Sequence, residues 1–340
     1  MNIQSSPVIA IIGAGPAGLS AALWLNNLGL TPIILEQGVA TGGMLNVNFL
    51  SNDWVLGQTD VTGPEMAARY DQHISEKAID LRVQTQLHSM TRDTSGNFCL
   101  TLRSSKTADD NALSTLECAG VLIATGTRYV DKHIFPDTIL DIAAPYIIEG
   151  PYAFVDIEQQ KSKTVVVVGA GDNAFENASM LLEQGCRVIV VARSTPRAQR
   201  KFMDKVAGHE KATIIEHATL ASTSRLNGQL NVQLSVRSEK SDRCSFVEIT
   251  AVDTIHLLAG YRPNSESLIA CIAEGLGENL SCDEQYFLQV DQCGRTNIAG
   301  IYAAGDICNT GFPSVVSAVS GGALAAKIMS QDISSASTSR

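Results

Sequence analysis

"VVVVGAGDNAFENA", residues 165–178, runs four valines into a glycine turn that opens onto a helical pattern. The chain has already carried one such unit near its start, "VIAIIGAGPAGLSAALWLNNLGLTPIILEQ", residues 8–37. A shift of 156 residues brings the two into register: Gly13 falls on Gly169, Gly15 on Gly171, Gly18 on Ala174 and Gly29 on Gly185. Each copy reads as an apolar strand, a turn, an amphipathic helix of roughly 12 residues, a glycine stop and a second strand. The first glycine permits the tight turn, the second lets backbone approach a pyrophosphate, and the third position must be small for helix–strand packing. The pyrophosphate then rests on the exposed N–H groups and positive dipole of the helix start. One glycine fingerprint alone is a weak signal, because many strand–helix turns use glycine. Two copies in register, with matching flanks, specify two dinucleotide sites.

The copies differ where the second strand ends. The first closes on "IILEQ", which places Glu36 where a carboxylate accepts hydrogen bonds from ribose hydroxyls. The second closes on "VIVVARSTPR", with Ala192 in place of the acid and Arg193 and Arg197 close by. A 2′-phosphate would repel the carboxylate and pair with guanidinium groups. The expectation is an adenine dinucleotide such as FAD on the first unit, and NADPH in preference to NADH on the second.

Composition narrows the class. The 340 residues suit two domains, and 45% hydrophobic with 18% charged residues describe a globular chain able to bury a core. Lys and Arg number 25 against 35 Asp and Glu, a net charge of −10 with no basic cluster, which argues against nucleic acid as a partner. No apolar run approaches the roughly 18 residues of a membrane span. The first apolar segment enters a glycine turn, so it reads as a strand and not as a signal peptide. A cytoplasmic protein is expected. The 8 cysteines are scattered without a Cys-x-x-Cys, and the 6 histidines show no metal spacing. No metal site is expected.

Between the units lies a loop rich in glycine, asparagine and threonine, "GVATGGMLNVNFLSNDWVLGQTDVTGPEMAARY", residues 38–70. Beside the first unit it reads as flavin-contacting, with Gly43, Met44 and Asp53 as candidates, and a helix starts near Pro64. Short strands are expected at 81–87, 97–103 and 114–119, with the polar "SSKTADDNALS" at 104–114 as a hairpin tip. "GVLIATGTR" gives a buried strand ending at Thr125 and Gly126. Residues 128–163 carry three prolines and no clean pattern, as an interdomain crossing would. After the second unit come strands around 212–217 and 229–237, then "TIHLLAGYRPN" with Gly260. "GIYAAGDICNTGFPSVVSAVSGGALAAKIM" supplies a strand, the turn Gly305-Asp306, and a small-residue helix beginning near Ser314. Asp306 suits a cap or a ribityl hydroxyl, and the helix start would face the flavin pyrimidine, where negative charge develops on reduction. The last ten residues read as a disordered tail.

Taken in order and spacing, "GAGPAGLSAA", "GGM", "TGPE", "ATG", "GAGDNAFENA", "AGYRPN" and "GIYAAGD" give a chain that resembles the thioredoxin reductase family over nearly its whole length. The resemblance implies two three-layer ββα dinucleotide-binding domains of α/β class. An FAD domain of residues 1–127 and 259–332 would flank an inserted NADPH domain of residues 128–258, with 333–340 as the tail. It also implies a homodimer and a rotation of one domain against the other during turnover. For FAD it points to Gly13, Gly15, Pro16, Ala17, Gly18, Glu36, Gly43, Met44, Asp53, Thr125, Gly126, Gly305, Asp306, Ser314 and Val315. For NADPH it points to Gly169, Gly171, Asp172, Asn173, Ala174, Glu176, Arg193, Arg197 and Gly260.

The departures bear on function. The family's Cys-x-x-Cys lies between the ATG strand and the second glycine turn, where this chain has "RYVDKHIFPDTILDIAAPYIIEGPYAFVDIEQQ" without a cysteine. The family's "YRQ" near the flavin appears as "FPS", Phe312 to Ser314. Members without the dithiol include ferredoxin–NADP reductases of thioredoxin-reductase type and some reductases of small disulfides. The chain is therefore expected to pass electrons from NADPH through FAD to ferredoxin, flavodoxin or a small acceptor. The alternative is a reductase of a small disulfide or other small oxidant that uses a non-motif cysteine or the flavin directly, with Cys308 as the candidate cysteine by position.

Overall fold

The computed structural model describes residues 6–52, 54–105, 113–238 and 244–338. Candidate Asp53 and residues 106–112 of the expected hairpin tip lie outside the described residues. The chain divides into two compact units, one of residues 1–128 with 262–340 and one of residues 129–261. In chain order the first unit opens with β1 (Val8–Ile12), α1 (Pro16–Asn27), β2 (Thr31–Leu35), α2 (Gly63–Glu76) and β3 (Asp80–Arg82). It continues through β4 (Thr85–Arg92), β5 (Phe98–Ser104), β6 (Leu113–Cys118), β7 (Gly120–Ile123) and β8 (Thr127–Tyr129). The second unit holds α3 (Asp137–Ala143), β9 (Ile147–Glu149), α4 (Tyr152–Val155), β10 (Thr164–Val168), α5 (Asp172–Glu183), β11 (Arg187–Val191) and α6 (Arg200–Ala207). It closes with β12 (Ala212–Ile215), β13 (Ala218–Leu226), β14 (Gln229–Arg237), β15 (Cys244–Val252) and β16 (Thr254–Leu257). The chain returns through β17 (Tyr261–Pro263), α7 (Glu266–Leu276), β18 (Ile301–Ala303) and α8 (Val315–Thr338).

The first unit has three layers. Its central parallel sheet runs β18-β7-β1-β2-β3. Alternate residues of β1 enter opposite layers, as the two-residue period of a strand requires. Ile9 and Ile11 pack with Leu19, Leu25 and Ala326 on the side of α1 and α8. Ala10 and Ile12 pack with Met90, Leu100 and Leu116 of the antiparallel β4-β5-β6 layer. Both faces are thus buried, which is why the strand reads as an unbroken apolar run. Helix α2 begins where expected, at a capping box in which the Glu65 carboxylate accepts from the Thr62 N–H and hydroxyl, both at 2.8 Å. The strand expected over 81–87 is interrupted between β3 and β4, where Gln84 takes φ +52°.

The second unit repeats the plan, with sheet order β12-β11-β10-β16-β9. Val165 and Val167 face α5, while Val166 faces the layer of β13, β14 and β15. That division accounts for the four-valine run. Residues 128–163, expected to be a patternless crossing, fold into α3, β9 and α4, and β9 adds the fifth strand. The boundaries differ by a few residues from the expected 128–258. Residues 259–261 stay with the second unit, because the Gly260 carbonyl accepts from the Val130 N–H at 3.0 Å and the Tyr261 ring packs on Tyr129.

The expected tail is also corrected: α8 is helical through Thr338. Ile333 packs on the helix-side core, and the Ser334 and Ser335 hydroxyls donate to the carbonyls of Ser330 and Gln331 at 2.8 and 3.0 Å. Asp332 accepts from Arg295 Nε at 2.7 Å and from the Tyr302 hydroxyl at 2.6 Å, which ties this stretch to the sheet. A polar composition concealed one apolar anchor and one ion pair.

Candidate active site

The two glycine turns separate what the fold needs from what a ligand needs. Gly13 has φ +109°, and a Cβ on it would lie 2.4 Å from the Ala124 carbonyl oxygen. A Cβ on Gly18 would lie 2.0 Å from the Gly13 carbonyl oxygen. Both are glycine because the protein itself leaves no room. Gly15 is different: φ is −77°, and a Cβ there would meet nothing within 4 Å. Neither the backbone angle nor the packing of the described residues requires a glycine at that point. The second turn repeats the contrast. A Cβ on Gly169, at φ +150°, would meet the Leu258 carbonyl oxygen at 2.2 Å, while one on Gly171 would meet nothing within 4 Å. Ala174 takes the third small position and is buried.

Around the first turn the expected residues converge. Pro16 opens α1, where its missing N–H costs no bond. Glu36 accepts from the Ala14 N–H at 2.8 Å and the Gly38 N–H at 2.6 Å, so the end of β2 is pinned to the turn. The Gly42 N–H donates to the Ala14 carbonyl at 2.8 Å, and a Cβ on Gly43 would come within 3.4 Å of Gly15 Cα. Gly43 and half-buried Met44 thereby close over the turn. The Thr125 hydroxyl donates to the Asn264 carbonyl at 2.9 Å, and Gly126 follows at φ +60°. Thr125 also lines a cavity of about 440 Å³ with Gln37, Gln86, His88, Arg103 and Arg128. None of these five was expected at the site: Gln37 and Arg128 only end the quoted "IILEQ" and "GVLIATGTR", while Gln86, His88 and Arg103 stand on β4 and β5 away from any motif.

Asp306 is the most informative side chain. Gly305, at φ +81°, approaches so closely that a Cβ would lie 2.7 Å from that of Ala17. The neighbouring Asp306 Oδ1 is buried without a hydrogen-bond partner. Burial raises its carboxyl to about 6, and the Ser314 backbone N–H offsets part of that. An ionisable oxygen left bare inside a protein is costly unless a ligand completes it. Ser314 caps α8, its hydroxyl accepting from the Ser317 N–H at 3.1 Å, and Val315 packs beside Leu45 and Met66. Cys308 lies two residues from Asp306, but burial and that carboxylate push its thiol up to about 12, so it is protonated at neutral pH.

In the second unit the loop after β11 is fastened to the turn. The Arg197 N–H donates to the Ala170 carbonyl at 2.9 Å, and Asp172 accepts from the Gln199 backbone at 2.7 Å and side chain at 2.9 Å. Asp172 therefore serves as a clamp on the loop that carries the arginines. Arg193 and Arg197 are exposed, and neither guanidinium has an ion-pair partner among the described residues. Glu176 is half-buried and its carboxyl is raised, by burial and then by Asp172. Asn173 Nδ2 donates to the Tyr261 hydroxyl at 2.6 Å, a partner the motif did not reveal. Among the described residues no cluster of three or more His, Cys, Asp or Glu could hold a metal, and no helix is long and apolar enough to cross a membrane.

Two strand–glycine turn–helix units in successive ββα layers, each with an open cradle at its second glycine, define a two-dinucleotide oxidoreductase. The chain belongs to the pyridine nucleotide-disulphide oxidoreductase family, which matches residues 7–322. It is 26% identical over 333 residues to the thioredoxin reductase of Peptoclostridium litorale, covering 94% of each chain. It is 23% identical over 323 residues to that of Bacillus subtilis, covering 94% of this chain and 92% of the relative. Thioredoxin reductase of Lactococcus lactis shares the fold with a TM-score of 0.75 at 21% identity, over 96% of this chain and 98% of the other. Bacillithiol disulfide reductase of Bacillus cereus does so with a TM-score of 0.72 at 17% identity, over 96% and 99%. The chain is an NAD(P)H-dependent flavoprotein oxidoreductase, and its cofactors are FAD and NADPH.

Proposed function

We propose that this chain passes electrons from NADPH to an external carrier, a ferredoxin or flavodoxin, with no protein dithiol on the route. The observation that carries this reading is the cysteine pattern. All eight cysteines are free, none stands in a Cys-x-x-Cys, and residues 128–160 contain none. Bound FAD supplies the redox chemistry, accepting a hydride from NADPH and releasing the electrons to the acceptor. The residues of the first unit fit it. The open face of Gly15 and the start of α1 would take the pyrophosphate, Glu36 the ribose, and the bare Asp306 Oδ1 a ribityl hydroxyl. In the second unit Gly171 and the start of α5 would take the NADPH pyrophosphate, and Arg193 and Arg197 its 2′-phosphate. The resemblance to thioredoxin reductases extends the proposal to a homodimer.

A second reading is favoured by the relatives, which are named for thioredoxin and bacillithiol disulfide reduction. It makes the acceptor a small disulfide. The neutral Cys308 thiol speaks against a cysteine relay there. Anaerobic NADPH titration of the yellow protein tests whether a cysteine pair lies on the route. Uptake of two electrons per subunit is expected, and uptake of four would establish an active cysteine pair and overturn the dithiol-free route.

A further inference from the structure

The second glycine turn has two sides, and they are chemically unlike. On one side runs β11, bonded to the turn by the Gly169 N–H to the Val191 carbonyl at 3.1 Å, and followed by Arg193 and Arg197. On the other runs β16, which continues past the turn through Leu258, whose N–H donates to the Val168 carbonyl at 2.8 Å. Residues 259–261 come next. Gly260 has φ +96°, and a Cβ on it would meet nothing within 4 Å. Beside that open space stands Tyr261, 40% exposed.

An exposed ring usually samples several positions, but this one is held from two directions. Its hydroxyl accepts from Asn173 Nδ2, on the first turn of α5, at 2.6 Å. Its ring packs on Tyr129 with centroids 4.7 Å apart and planes tilted by 46°. Tyr129 is itself backed by Gly150, where a Cβ would lie 2.7 Å from the ring. A flat face is thus fixed next to an open backbone on the β16 side of the turn, with the single exposed Arg262 after it where the β11 side carries Arg193 and Arg197.

We propose that Tyr261 is the wall on which the nicotinamide half of the coenzyme rests, and that Asn173 is a positioning residue for Tyr261. This deepens, and rests on, the reading that the second unit binds NADPH. A dinucleotide whose pyrophosphate lies on α5 sends its two nucleosides to opposite sides of the turn. The 2′-phosphate draws the adenosine half toward Arg193 and Arg197 beyond β11. The nicotinamide half then falls on the β16 side, where Gly260 leaves room and Tyr261 offers a π face to a flat ring. Asn173, whose amide is engaged with the phenol, orients the wall instead of gripping the coenzyme.

Calorimetric titration of the FAD-loaded protein with NADP⁺ and with 2′,5′-ADP, which lacks the nicotinamide half, tests this. Tyr261→Ala is expected to weaken NADP⁺ about tenfold, in the range of ring-stacking losses, and to leave 2′,5′-ADP within about twofold. Tyr261→Phe, which keeps the ring but removes the hydroxyl that Asn173 holds, should weaken NADP⁺ less than Tyr261→Ala and about as much as Asn173→Ala. Asn173→Ala should weaken NADP⁺ but not 2′,5′-ADP. Arg193→Ala with Arg197→Ala should weaken both ligands. Equal effects of Tyr261→Ala on the two ligands, or none on NADP⁺, would overturn the assignment. A wild-type protein that binds neither would instead overturn the NADPH reading, and this inference with it.

Discussion

Asp306 and His256 each carry one buried carboxyl or ring atom without a partner, and their titrations have opposite signs. Native Asp306 keeps its proton to about 6, while an unfolded aspartate loses it near 3.8. The apoprotein therefore loses stability as pH rises through that window, by about 3 kcal/mol for this group. A hydroxyl donated by bound FAD would favour the charged form, so binding would release the proton. FAD affinity is expected to fall as pH drops below about 6, and Asp306→Asn should flatten that dependence. Fluorescence titration of apoprotein from pH 5 to 8 measures it, and a flat wild-type profile would remove Asp306 from the flavin site. His256 runs the other way. Asn177 Nδ2 donates to the Ala153 carbonyl at 3.0 Å, so Asn177 Oδ1 accepts from His256 Nδ1 at 2.9 Å and Nε2 is left alone. Burial lowers the ring to about 4, against 6.5 when unfolded. Stability is held above 6.5 and lost as pH falls toward 4, by about 3 kcal/mol. Melting of the second unit should show this loss, and His256→Gln should abolish its pH dependence.

At the scale of elements, the glycine turns make a sharper forecast than their motif. Gly15→Val fills only open space at a backbone angle any residue adopts, so the protein should fold, melt near the temperature of the wild-type apoprotein and purify colourless. Gly18→Val drives a side chain into the Gly13 carbonyl and should not fold stably. Flavin absorbance and a thermal melt of each variant decide the matter, and a yellow Gly15→Val protein would refute the pyrophosphate placement. The elements that sequence reading found are those whose signal is local: β1 to β2, β10 to β11 and the capped α2. Those it missed, α3, β9 and the end of α8, depend on partners. β9 has three residues and exists because Ile147, Ile148 and Glu149 pair with β16. No pattern of three residues could announce that.

For the whole molecule, the −10 charge bears on the proposed carrier. An acidic electron carrier would be repelled at long range, and salt screens such repulsion within about 10 Å at 0.1 M. Turnover with an acidic carrier at limiting concentration is expected to rise with ionic strength, while reduction of an uncharged dye stays level. A rate that falls steeply with salt would mean that a local basic surface steers the partner. By itself the sequence determined the repeat, the layered α/β class, the coenzyme preference to be expected at Arg193 and Arg197, and the lack of a Cys-x-x-Cys. Each is written in contiguous residues, because a strand, a glycine turn and a helix start obey steric rules that act over a few bonds. Only the tertiary structure decided that Asp306 Oδ1 is buried without a partner, that burial raises the Cys308 thiol, that Asp172 clamps a loop, and that Asn173 holds Tyr261. Those properties come from burial and from partners distant in the chain, as when the Ser20 hydroxyl donates to the Val319 carbonyl at 2.7 Å. Desolvation and hydrogen bonding of that kind arise when remote segments meet, and no local pattern encodes them.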